Sequence, residues 1–164
     1  MSDERISILF LCTGNSARSI LAEAIANQRF GDRLIARSAG SQPKGQPHEL
    51  ALATLARHGL STGGLRSKSW DEFKQDRFDL VITLCDSAAK EQCPVFPGSP
   101  AQAHWPLPDP PAGDDPRAMF QDVFRVLDRS LGELAGAQRE KLVDTARRIG
   151  AQLAESDSIS FGRH

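Results

Sequence analysis

The run Ile6-Ser7-Ile8-Leu9-Phe10-Leu11 is almost continuously apolar and of strand length. It feeds into Cys12-Thr13-Gly14-Asn15-Ser16-Ala17-Arg18-Ser19, which in turn opens a helical run from Ile20 to Phe30. A strand that is apolar at nearly every position is covered on both faces, the situation of a central strand in a parallel sheet. The stretch therefore reads as strand, tight loop and helix N-terminus, with a cysteine at the strand tip and an arginine at the helix start. Backbone N–H groups of such a loop, together with the positive end of the helix, favour bound negative charge. The same field favours a cysteine thiolate over a thiol. Arg18 brings a planar fork of donors suited to a tetrahedral oxyanion. Gly14 is expected to supply backbone angles closed to other residues, and Ser19 a hydroxyl for the Cys12 sulfur.

Further along, the pattern alternates. Leu34 to Ser38 reads as a second short strand, and Ser38-Ala39-Gly40 as the opening of a Gly- and Pro-rich loop reaching Pro47. A helix is expected over 48–58, with Gly59 at its stop position and His48 as a first-turn surface residue. A short helix follows around 70–75. The third strand spans 78–84 and delivers Cys85. Residues 86–92 read as a helical turn or a loop, closed by Cys93-Pro94. A fourth strand is expected near 102–105, before the proline-rich 106–111, which cannot continue a ladder and so sets Asp109 on a rigid loop. A helix begins at Asp114 or Asp115 with Pro116 and runs to about Leu134. The last helix is expected over 138–154, with a frayed tail after Glu155. Strands alternating with helices imply an α/β fold, a four-stranded parallel sheet with helices on both faces. Residues 1–164 are expected to form one domain, with 138–154 as a C-terminal helical extension.

Composition narrows the function. The 20 Lys and Arg against 21 Asp and Glu form no basic cluster, so no nucleic acid partner is expected. No signal peptide or membrane-length apolar run is visible, which gives a cytoplasmic expectation with no membrane association. The three cysteines include no zinc-type pair, so they read as catalytic rather than structural, with no metal and no cofactor. Strand ends bring Cys12, Cys85 and Asp109 to one edge of the sheet, where open parallel sheets bind ligands. From the residues alone, Asp109 is either a general acid or a turn aspartate, and Cys85 and Cys93 are either reactive thiols or buried small hydrophobes.

Cys-Thr-Gly-Asn-Ser-Ala-Arg-Ser at 12–19 stands in order with Ser-Ala-Gly at 38–40, Arg-Ser-Lys-Ser at 66–69 and Asp-Leu-Val-Ile-Thr-Leu-Cys at 79–85. Together with His104-Trp105 and Asp109-Pro110, these resemble the arsenate reductases built on the low-molecular-weight protein tyrosine phosphatase fold. The resemblance covers Ile6 to about Leu134. It implies that arsenate, or phosphate or sulfate as a mimic, is held by Thr13, Gly14, Asn15, Ser16, Ala17, Arg18 and Ser19. Cys12 attacks arsenic and Asp109 protonates the leaving oxygen. Cys85 then attacks Cys12, and Cys93 attacks Cys85, moving the disulfide outward. Thioredoxin or glutathione/glutaredoxin restores the thiols, and the chain acts as a monomer.

The family pattern is departed from at three places. Ala17 stands where many members carry a second cysteine, and the seven residues between Cys85 and Cys93 are one more than in the thioredoxin-coupled members. In potassium-binding relatives, side chains matching Asn15, Glu23 and Ser38 help hold the ion, and Lys68 stands where those relatives have an aspartate. Lys68 is either a solvated loop lysine or an ammonium in place of the ion. Two rival functions are a phosphomonoesterase and a non-catalytic oxyanion-binding or redox-sensing module. Pro111 and Ala112 follow Asp109-Pro110 where phosphatase members place aromatics, and the chain has no tyrosine, which disfavours a phosphotyrosine pocket.

Overall fold

A computed structural model describes residues 5–84, 96–98, 100–110 and 114–160, with side chains as far as 155. Strands β1 (Ile6–Cys12), β2 (Leu34–Gly40), β3 (Leu80–Thr83) and β4 (Ala101–His104) form one sheet in the order β2-β1-β3-β4. Every pairing is parallel. Helices α1 (Arg18–Arg29), α2 (Glu49–Arg57), α3 (Pro116–Ala135) and α4 (Leu142–Ser160) alternate with or follow the strands, and a 3₁₀ turn covers Trp70–Phe73. Cys85, Cys93 and the turn or loop expected between them lie outside the described residues.

Alternation along β1 divides the interior. Ile6, Ile8 and Phe10 face the helices and join Ile20, Leu21, Ile25, Phe120, Phe124 and Leu127. Leu9 and Leu11 face the other side, with Val81, Phe73, Phe78 and Phe96. Phe78 stands edge-on to Phe73 and Phe96, at centroid distances of 6.1 and 5.8 Å. That engagement accounts for β3 beginning at Leu80 rather than at Phe78: the phenylalanine packs on the sheet instead of extending it.

Other boundaries also differ from the sequence expectation. β2 runs on to Gly40, because Ala39 and Gly40 stay in register with Leu11 and Cys12. The last helix starts at Leu142, since Gln138 is extended and caps a separate 3₁₀ turn over Arg139–Lys141. It continues past Glu155 to Ser160, a stretch with no glycine or proline to stop it.

α4 braces the edge strand that precedes the acid loop. Trp105 is fully buried, and its indole N–H donates to the Ala146 carbonyl at 2.8 Å. Arg147 Nε donates to the Gln102 carbonyl at 3.1 Å, covering part of the exposed side of β4. Gly150 lets the helix sit this close: a Cβ there would fall 2.2 Å from the His104 carbonyl oxygen.

Candidate active site

The loop from Cys12 to Arg18 is folded by its carbonyls. Thr13, Gly14 and Ser16 accept from the backbone N–H groups of Gln42, Lys44 and His48, at 2.9, 3.0 and 2.8 Å. Ser67 Oγ adds a second donor to the Gly14 carbonyl at 3.1 Å. With these oxygens tied to the following loop, the opposite side of the chain is left to line a concavity. α1 begins at Arg18 without a side-chain cap and without an acidic residue in its first turn. Its positive end is therefore not neutralised by its own residues.

The special backbone position is Asn15, not Gly14. Asn15 has φ 44°, whereas Gly14 is not among the positive-φ residues. Asparagine tolerates this region when its short side chain is fixed by hydrogen bonds, and here three of them hold it. Asn15 Oδ1 accepts from the Lys68 N–H at 2.8 Å, while Nδ2 donates to Ser19 Oγ at 2.8 Å and Ser38 Oγ at 3.0 Å. The glycine that sequence reasoning undervalued is Gly40. A Cβ there would meet the Thr13 and Cys12 carbonyl oxygens at 2.4 and 2.7 Å, so only glycine lets the end of β2 lie against the nucleophile loop.

Fixed donors organise the network. Ser19 Oγ accepts from the Asn15 amide and is hydrogen-bonded to the Cys12 sulfur at 2.8 Å; with Cys12 as a thiolate, the Ser19 hydroxyl is the donor of that bond. Ser38 Oγ likewise accepts from Asn15 and donates to Glu23 Oε1 at 2.5 Å. Lys68 is buried behind the loop, its side chain 5% exposed, with Nζ 3.5 Å from Glu23 Oε1. It also donates to the Arg66 carbonyl at 2.9 Å. Burial pushes the Lys68 ammonium below the ordinary lysine range, and the Glu23 carboxylate works in the opposite direction. The reading of Lys68 as a solvated loop residue therefore fails.

Arg18 is held in two pieces. Nη1 donates to the Leu107 carbonyl at 2.9 Å, and Nη2 lies 3.7 Å from Asp109 Oδ1. Nε is buried with no hydrogen-bond partner, so the Nε–Nη2 edge is the side of the fork that can serve an oxyanion. The sequence offered no sign that a main-chain carbonyl would hold the other arm. Residues 12–18, Gln42, Lys44 and Asp109 line one cavity of about 240 Å³. Thus Cys12, Arg18, Asp109 and the 13–17 loop meet in one place, with Ser19, Glu23, Ser38 and Lys68 behind it. Gln42 and Lys44 are additions that no motif signalled. His48 is a helix cap, its Nδ1 accepting from the Leu50 N–H at 3.0 Å. Among the described residues, no cluster of His, Cys, Asp and Glu could hold a metal ion, and no helix is long and apolar enough to cross a membrane.

A cysteine at a strand tip, a loop with its carbonyls turned outward, an arginine at a helix start and a carboxyl across the cavity define a thiol-based oxyanion enzyme fold. Residues 7–147 match the low molecular weight phosphotyrosine protein phosphatase family, and the chain belongs to it. Its curated relatives include an arsenate reductase of Bacillus subtilis (strain 168), 35% identical over 133 residues that cover 78% of this chain and 94% of that protein. Among solved structures, an arsenate reductase from Archaeoglobus fulgidus is 29% identical with a TM-score of 0.60, covering 77% of this chain and 99% of that one. A thioredoxin-dependent arsenate reductase from Corynebacterium glutamicum is 26% identical with a TM-score of 0.60, covering 80% of this chain and 64% of that one.

Proposed function

We propose that this chain reduces arsenate to arsenite with Cys12 as nucleophile. The observation that carries the reading is the Cys12 sulfur on the wall of the cavity shared with Arg18 and Asp109, 2.8 Å from the Ser19 hydroxyl. The similarity to proteins named arsenate reductases selects arsenic over phosphorus as the centre attacked. Cys12 thiolate adds to arsenic, and Asp109 gives its proton to the departing oxygen, which leaves as water. Cys85 thiolate then attacks the Cys12 sulfur. The sulfur–arsenic bond breaks with its electron pair moving to arsenic, so arsenic gains two electrons as two thiols become a disulfide. Cys93 attacks Cys85, returning Cys12 as thiolate and leaving a Cys85–Cys93 disulfide for an external thiol reductant.

Thioredoxin is the reductant favoured, by analogy with the Corynebacterium relative, and glutathione/glutaredoxin is the alternative. The cytoplasm suits this chemistry, because its thiol pool keeps the three cysteines reduced. The chain works as a single domain and a monomer. Lys68 supplies, covalently, the positive charge that Glu23 requires. Its ammonium lies against Ser38 and Glu23, and these side chains do not fit a potassium ion in the same place.

Arsenite release with each reductant, measured beside phosphate release from an aryl phosphate, tests the assignment. Arsenite formation with little phosphatase turnover is expected. The reverse pattern would return the chain to the phosphatase reading, and neither product would favour a binding module.

A further inference from the structure

The rim of the anion cavity carries a second cation, Lys44, that the proposed reaction does not use. Its position is built rather than incidental. The Lys44 N–H donates to the Gly14 carbonyl at 3.0 Å. The next N–H, from Gly45, donates to Ser67 Oγ at 3.3 Å, and Ser67 in turn donates to the same Gly14 carbonyl. The stem then lies across Gly14. A Cβ at position 14 would meet Lys44 Cε, Cγ and Cδ at 3.1, 3.3 and 3.4 Å. A side chain at position 14 would push against this stem, and the ammonium sits one bond beyond the last of these carbons.

The charged groups around it are otherwise engaged. In the cavity, Arg18 is bonded to the Leu107 carbonyl and faces Asp109, and Cys12 is hydrogen-bonded to Ser19. On the neighbouring 66–69 loop, Arg66 pairs through both arms with Glu72, and Lys68 faces Glu23 behind the nucleophile loop. Among the described residues no carboxylate pairs with Lys44. Among the described residues, Lys44 and Arg18 are the only positive side chains lining the cavity.

We infer that Lys44 is a specificity-determining residue that makes the cavity select doubly charged tetrahedral oxyanions over singly charged ones. This rests on the reading of residues 12–18 as an oxyanion site. The interaction of a fixed positive charge with an anion is proportional to the anion's charge. Removing Lys44 must therefore cost a dianion the square of the factor it costs a monoanion of the same shape. A packing role on Gly14 would cost both equally.

Sulfate and perchlorate are the probes. Both are tetrahedral, and their own charges stay fixed near neutral pH. Calorimetric titration at constant pH and ionic strength is expected to show Lys44→Gln binding perchlorate about threefold and sulfate about tenfold more weakly than the wild type. Lys44→Arg is expected to keep both affinities within about twofold. An unchanged sulfate affinity in Lys44→Gln, or equal losses for the two anions, would overturn the inference. A wild type that binds neither anion would overturn the anion-site reading and this inference together. The unequal losses in a protein that does not reduce arsenate would leave Lys44's role standing and remove the proposed reaction.

Discussion

Asn15 shows how much of the site depends on one side chain. It adopts φ 44°, and its amide fixes Ser19 and Ser38 while its carbonyl fixes the Lys68 backbone. The sequence pointed to Gly14 for the special backbone angles, but the three-dimensional contacts show that Asn15 is the residue that bends the chain. The positions of Cys12, Arg18 and Ser19 were legible because the apolar strand before them and the helical run after them set them at a strand tip and a helix start. Leu107 and Lys44 were not, because a main-chain carbonyl beside Arg18 and a side-chain stem over Gly14 are contacts that no motif records. Asp109 stands between these cases: the prolines placed it past a strand end, and the fold puts it 3.7 Å from Arg18, half exposed on the cavity wall. Asp109→Asn is expected to slow single-turnover arsenite formation about a hundred- to ten-thousandfold while leaving sulfate affinity nearly unchanged. Rapid-quench assays beside calorimetry separate the two, and equal single-turnover rates would reduce Asp109 to a turn residue.

At the scale of elements, two glycines set distances that the chemistry needs. Gly40 ends β2 against the Thr13 and Cys12 carbonyls. Gly40→Ala is expected to destabilise the fold by about 1–3 kcal/mol and to cut activity disproportionately, since the clash falls on the nucleophile loop. Activity retained in proportion to folded protein would argue that the loop can shift without cost. Gly150 seats α4 on β4, next to the Trp105 that leads to Leu107 and Asp109. Gly150→Ala is expected to lower Tm by about 2–10 °C, measured by calorimetry, from a comparable overpacking term. An unchanged Tm would mean that α4 can back away from the sheet freely. The strand–helix alternation was readable from periodicity, and α3 was readable from its Asp-Pro start. The start of α4 was not, because Arg139–Lys141 have good helix formers yet close a separate turn before it.

For the whole molecule, charge closure and thiol order matter most. Glu23 and Lys68 neutralise one another behind the anion loop, which avoids the cost of a lone buried charge. Tm and activity are therefore expected to be equal in potassium and sodium salts of the same ionic strength, with Lys68→Ala less stable by about 3 kcal/mol or more. A potassium-specific rise in Tm of the wild type, with Lys68→Ala neutral, would show that the ammonium does not take the place of an ion. The central claim is that Cys12 takes arsenate and passes oxidation to Cys85 and then Cys93. It is met most directly by one equivalent of arsenate added to reduced Cys93→Ser, followed by arsenite assay and mass spectrometry of the non-reduced digest. One equivalent of arsenite and a Cys12–Cys85 cross-linked peptide are expected. No arsenite, or arsenite formed with Cys12 and Cys85 both left as thiols, would contradict it.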